Sequence, residues 1–242
     1  MKIKNLKESC QKENVEPLVV RLQRPLGLIF SIPFIKLKMQ PNHITNLMTA
    51  VGIISSIFFI SGQYWWSIVG IVLWNVQLML DLVDGNVARY FKKTSKKGVY
   101  LDAVSHTTAH PLLWFCIGFG LCIKNVNFIY LMLPGFLVWF NSSTLLLRKR
   151  MESLIPDTSS ADQLKDIKQS KNIFIFIARN SYLCLNDFFH QWLTLFVIIN
   201  QLEIFMIFHT VFSFVKFIGL GYYVYPRKVH QYDLKVKREA ND

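Results

Sequence analysis

Residues Asp81 to His106 read DLVDGNVARYFKKTSKKGVYLDAVSH, and this stretch decides how the rest of the chain is understood. Asp81 and Asp84 are three residues apart, and Asp102 and His106 are four apart. At helical spacing each pair shares one face of its own helix. Between the pairs lie Gly85, the small residue Ala88, Arg89 and a loop carrying Lys92, Lys93, Lys96 and Lys97. Asp81 closes one apolar run and Asp102 opens another. A carboxylate beside lipid is costly and needs a cation or a partner, so acids in such a place point to function.

Working outward, the flanking sequence is that of a membrane protein. Hydrophobic residues make up 52% of the 242 positions and charged residues only 17%, below the quarter usual for a soluble domain. The spacing of the apolar runs predicts an all-α, polytopic membrane protein with six transmembrane helices. The spans are expected at about Ile44–Ser61, Tyr64–Arg89, Gly98–Cys122, Phe128–Leu147, Cys184–Ile199 and Ile204–Tyr225, the last ended by Pro226. Trp65 and Trp66 mark an outer interface. Before them, residues 18–38 mix apolar side chains with Arg21, Arg24, Lys36 and Lys38, and are interrupted by Pro25 and Pro33. That stretch is expected to be an interfacial amphipathic helix rather than a span. The domain reading is therefore a cytoplasmic lead and interfacial helix over 1–40, a six-helix domain over 41–226 and a soluble basic tail over 227–242.

The formal charge of +12 is unevenly placed. Of 27 Lys and Arg, eight precede Thr45, five lie in Arg89–Lys97, seven in Arg148–Arg179 and five in Arg227–Arg238. This is the positive-inside pattern, which puts those regions, both termini and the Asp81–His106 cluster on the cytoplasmic side of the cell membrane. No basic stripe interleaved with aromatics lies on a soluble segment, so nucleic acid is not an expected partner. The four cysteines form no CxxC or zinc spacing and read as apolar filler.

The chemistry of the central stretch follows from its atoms. Asp81, Asp84 and Asp102 form an oxygen-rich set suited to hard divalent cations, which often bind together with substrate phosphates. Two such ions can clamp a pyrophosphate and stabilise a leaving group. Gly85 and Ala88 allow close approach, Arg89 and the lysines meet phosphate charge, Ser95 donates a hydrogen bond, and Gly98 serves the turn into the next helix.

The pattern DxxDGxxARx8GxxxDxxxD is the signature of the CDP-alcohol phosphotransferases. The chain resembles that family at Asp81, Asp84, Gly85, Ala88, Arg89, Gly98 and Asp102, with His106 where the family has Asp. The resemblance implies a membrane homodimer that splits a CDP-alcohol at its pyrophosphate, passes the phospho-alcohol to an acceptor hydroxyl and releases CMP. It also implies that the three Asp bind Mg²⁺ or Mn²⁺, with two ions expected. Asn42, Thr45, Asp81, Gly85, Ala88, Arg89, Ser95 and Gly98 would then line the nucleotide site. The fourth acidic position takes the acceptor proton and touches metal. Here His106 would do both, since neutral imidazole accepts a proton near its ordinary pKa of about 6.5 and is a softer ligand than carboxylate.

Weaker candidates for the acceptor are His110, Arg148, Arg150 and Asp187. His110 continues the face of His106 but also reads as a packed, singly hydrogen-bonded histidine. Asp187 and His190 read as a pair capping the start of span five, and Arg148, Lys149 and Arg150 as membrane anchoring. The sequence leaves the donor open between CDP-diacylglycerol and a soluble CDP-headgroup. Competing functions are a small cation transporter and a degenerate, lipid- or nucleotide-binding relative of the enzymes.

Overall fold

The computed structural model describes residues 18–155 and 189–239, and among them every regular element is helical. In chain order these are α1 (Leu18–Lys36), α2 (Pro41–Phe58), α3 (Tyr64–Tyr90), α4 (Lys96–Asn125), α5 (Ile129–Leu154), α6 (Phe189–Ile198), α7 (Leu202–Ile218) and α8 (Tyr225–Glu239). Five segments are long and apolar enough to cross a membrane: Pro41–Ser61, Tyr64–Tyr90, Lys96–Asn125, Ile129–Met151 and Leu202–Leu234. The first four lie where the hydropathy places them. The expected fifth span begins at Cys184, outside the described residues. Its described remainder is α6, a mostly apolar helix ten residues long.

Pro226 does not end the helical run, contrary to expectation. A π-helical segment, Gly219–Val224, joins α7 to α8, and Pro226 is the second residue of α8. Proline clashes with the carbonyl four residues before it and has no N–H to give it. The wider π turn re-pairs the backbone just ahead of the ring, so helix resumes and runs on to Glu239.

The chain divides into two compact units. One runs to Met132 and adds His190–Glu203; the other holds Leu133–Phe189 and everything from Ile204. The first unit contains the Asp81–His106 stretch. Its centre is the α2–α3–α4 trio. Between apolar helices in lipid there is little hydrophobic gain, so small residues and dense packing hold such a trio together. The turn between α2 and α3 shows this. Gly62 has φ +66°, and a Cβ there would strike the Gly120 carbonyl oxygen; a Cβ on Gly120 would strike the Phe59 carbonyl oxygen. Ser55 Oγ reaches across from α2 to the Gly70 carbonyl of α3 at 2.7 Å.

At the opposite end α1 packs its Gly27, Leu28, Ser31 and Ile35 stripe inward. Leu28 and Ile35 join Ile44, Met48, Leu80, Val83 and Val87 in one apolar cluster. Both prolines lie within α1, and Leu26, Ile29 and Phe30 on its outer side are about half exposed.

In the second unit α5 and α7 are joined by polar side chains. Lys216 Nζ donates to Asn141 Oδ1 at 2.6 Å, and Asn141 Nδ2 donates to Ser213 Oγ at 3.2 Å. Phe140 stacks near Phe214 and Phe217 beside them.

Candidate metal and nucleotide site

The α3–α4 turn sets the site. Helix α3 closes with Lys92 in the left-handed conformation, φ +52°. Lys92 N–H donates to the Arg89 carbonyl and Lys93 N–H to the Ala88 carbonyl, at 3.1 and 2.9 Å. These are the paired bonds of a Schellman stop, made here without glycine. Three residues later Ser95 caps α4, its Oγ accepting from Gly98 N–H at 3.0 Å. The two helices therefore turn back on one another within five residues, and the end of α3 faces the start of α4.

This brings Asp81, Asp102 and His106 together, with one ligand atom from each within 4.8 Å of the others. His106 Nε2 lies 3.3 Å from Asp81 Oδ1 and 3.4 Å from Asp102 Oδ1. Asp102 Oδ1 is buried and makes no hydrogen bond. Two carboxylates and an imidazole around a buried, unbonded oxygen fit a divalent cation. One ring nitrogen serves both carboxylates, and a nitrogen bound to an ion has no lone pair left for a proton. The ligand and base roles of His106 thus exclude each other at Nε2.

Asp84 stands outside that trio. Its Oδ2 accepts a 2.7 Å hydrogen bond from Thr45 Oγ1 of α2. Thr45 is presented by the Pro41 start of α2, where proline occupies the first turn and loses no hydrogen bond. Asn42 of the same turn faces the α4 start: a Cβ on Gly98 would sit 3.4 Å from Asn42 Oδ1 and 3.3 Å from Ser95 Oγ. Gln40, Pro41, Asn42, Lys93, Thr94 and Ser95 line a cavity of about 250 Å³ there. Asn42 and Ser95, far apart in sequence, thus share one mouth, with Gly98 next to both.

Arg89 folds back over Gly85, whose Cβ would lie 3.3 Å from both terminal guanidinium nitrogens. Arg89 also donates to Asn86 Oδ1 at 2.9 Å. Asn86 in turn donates to Ser31 Oγ of α1 at 3.1 Å, and Ser31 to the Gly27 carbonyl at 2.6 Å. Asn86 and Ser31 were not singled out in the sequence; the signal for Asn86 was its place between two motif positions.

His110 is packed within the first unit, its Nδ1 3.1 Å from the His106 carbonyl oxygen. Its ring lies 5.2 Å from those of both His106 and Trp74. His190 joins the same group: Trp74 Nε1 donates to His190 Nδ1 at 3.0 Å, and its ring is 5.4 Å from His110. Asp187 lies outside the described residues. Arg148 and Arg150 are in the last turns of α5, in the second unit.

The sequence model of the CDP-alcohol phosphatidyltransferase family matches residues 38–200. A phosphatidylinositol phosphate synthase of Streptomyces avermitilis is 36% identical over 76 residues, which is 31% of this chain. The chain aligns with 30% of that relative's own length. The family match covers more than half of the chain and includes the whole signature stretch and the Asn42–Thr45 turn that faces it. The chain is a multi-pass, helical member of the CDP-alcohol phosphatidyltransferase family.

Proposed function

We propose that the chain is an integral-membrane transferase that moves a substituted phosphate from a CDP-alcohol to an acceptor hydroxyl and releases CMP. The meeting of Asp81, Asp102 and His106 beside the Asn42–Ser95 cavity carries this reading. The acceptor oxygen attacks the phosphorus that bears the alcohol, the bond from that phosphorus to CMP breaks, and the acceptor proton leaves to a base. Asp81, Asp102 and His106, with Asp84 beside them, would hold Mg²⁺ or Mn²⁺, two ions in all. A bound divalent ion supplies positive charge to the pyrophosphate and to the departing CMP.

The protein's own groups do the rest. Asn42, Ser95, Gly98 and the lysines of the turn receive the cytidine nucleotide. Gly85 leaves space under the phosphates, and Arg89, held by Asn86, offers them a planar fork of donors. Thr45 fixes the Asp84 carboxylate. His106 takes the acceptor proton in whichever state its Nε2 carries no ion. His110, Arg148, Arg150 and Asp187 remain the candidates for acceptor contacts.

A second observation bears on the donor. An apolar cavity of about 600 Å³ runs along α3 from Ile68 to Val83, between α1 and α6. Phe30, Phe34, Val72, Val76, Met79 and Ile198 line it. Its polar members, Asn75 and Thr194, bond each other at 3.1 Å and ask nothing of a ligand. Fifteen helical residues span about 22 Å, more than one leaflet of a hydrocarbon core about 30 Å thick. The groove reaches Leu80 and Val83, the neighbours of Asp81 and Asp84. It suits an acyl chain of a lipid donor, CDP-diacylglycerol, whose head would then lie at the carboxylates. The relative's name, which specifies a phosphatidylinositol phosphate, agrees with a lipid product.

The reading completes with six spans, an interfacial α1, a homodimer, and both termini and the site on the cytoplasmic side of the cell membrane. The lysine and arginine distribution supports the orientation. The family match weighs against a transporter. Purified protein in nanodiscs should release CMP from CDP-diacylglycerol with a polyol or phosphorylated polyol, and Asp102→Asn should abolish it. Release from soluble CDP-headgroups alone would overturn the lipid donor; release from no CDP-alcohol would overturn the transferase.

A further inference from the structure

Directly beneath the carboxylates, the α2–α3–α4 interior holds two polar groups that no motif assigns. Gln77 is fully buried, and neither its Oε1 nor its Nε2 has a hydrogen-bond partner. Ser105 is also fully buried, and its Oγ has none. Buried polar groups in native folds are almost always paired, so two orphans on the helices that carry the carboxylates call for a state in which they are used.

Their positions say which state. Gln77 is four residues before Asp81 and seven before Asp84 on α3, so all three share a face. Ser105 lies between Asp102 and His106 on α4, with Ala109 one turn on. The layer is built around the glutamine. A Cβ on Gly52 would lie 3.1 Å from Ala109 Cβ and 3.3 Å from Gln77 Cγ. Glycine on α2 and alanine on α4 thus make the room that a carboxamide fills where lipid-like packing would favour an aliphatic side chain.

Resting on the metal reading above, we infer that Gln77 and Ser105 form the floor of the metal site and position its ligands. A glutamine four residues from an aspartate on a helix can donate its amide to that carboxylate. With the metal held by Asp81, Asp102 and His106, Gln77 Nε2 would donate to the Asp81 carboxylate and Ser105 Oγ to the Asp102 carboxylate. Partners of this kind orient metal ligands, and their loss typically weakens metal affinity 10–100-fold. The two residues are positioning residues and do not touch the reacting atoms.

The test is Mn²⁺ titration of the full-length protein in detergent, followed by electron paramagnetic resonance, with thermal melts of metal-free and Mn²⁺-loaded protein. Gln77→Met keeps shape and removes both polar atoms. It should weaken Mn²⁺ binding at least tenfold and shrink the Mn²⁺-induced rise in Tm, while the metal-free Tm stays equal or increases. Wild-type Mn²⁺ affinity in Gln77→Met would overturn the inference. If Gln77→Met folds poorly, Ser105→Ala decides: a loss of threefold or more supports the floor, and unchanged binding overturns it. Wild-type protein that binds no Mn²⁺, or an Asp102→Asn variant that binds as wild type, would overturn the metal reading and this inference together. Wild-type binding abolished by Asp102→Asn beside an unaffected Gln77→Met would overturn this inference alone.

Discussion

Thr45 Oγ1 donates to Asp84 Oδ2 at 2.7 Å across 39 residues of sequence, tying the first turn of α2 to the last turns of α3. The bond fixes one carboxylate outside the Asp81–Asp102–His106 trio and leaves the other three groups to one another. A hydrogen bond to a charged group contributes about 1.5–3 kcal/mol. Thr45→Val, which keeps the shape, should therefore lower kcat/KM for CMP release about 10- to 100-fold, and Thr45→Ser should restore most of it. Steady-state kinetics of the two variants checks this.

Replacing His106 separates its two roles. His106→Ala should lower CMP release at least about 100-fold, within the range that general acid–base groups contribute. His106→Asp restores a charged oxygen ligand and should tighten Mg²⁺ relative to Mn²⁺, since carboxylate suits the harder ion. Chelation should abolish release in both the wild type and His106→Asp, and added Mg²⁺ should rescue His106→Asp at lower concentration. Metal-dependent CMP release across the three proteins is the measurement.

The turn between α2 and α3 should be intolerant of side chains. Gly120→Ala forces a Cβ against the Phe59 carbonyl oxygen, where backbone must move. Overpacking of this kind costs about 1–3 kcal/mol. The variant should melt lower in detergent by several degrees, and Gly62→Ala in the same protein should add less than its own separate cost, because each Cβ would press on the other residue's backbone.

In the second unit, Asn141 accepts from the buried Lys216 and donates to Ser213. Asn141→Leu removes the acceptor of a charge-assisted bond and should destabilise by about 1.5–3 kcal/mol. Asn141→Asp, which keeps an acceptor, should lie closer to wild type. Thermal melts of the two variants decide.

The chain's periodicity made four of the spans legible, and the fixed spacing from Asp81 to Asp102 made the site legible. What stayed hidden has physical reasons. Helix stops at Lys38, Lys92 and Asn200 adopt positive φ without glycine, so local residue type did not mark them. Pro226 read as a terminator because proline forbids the α turn, yet a π turn just before it makes continuation possible. The hydrogen bond from Trp74 to His190 joins residues 116 apart, which no local spacing marks. Gln77 is a single polar residue in an apolar run, and nothing in the sequence reveals that Gly52 and Ala109 open space for it.

The groove along α3 opens on the side of the first unit, lined by half-exposed Phe30, Val72 and Ile198, not at its end. A donor that enters sideways is delivered by two-dimensional diffusion within the bilayer. Its effective concentration is its mole fraction among the surrounding lipids, not its amount per volume. Diluting such a donor with inert lipid at constant bulk concentration would slow turnover, so the membrane's composition would itself govern the reaction.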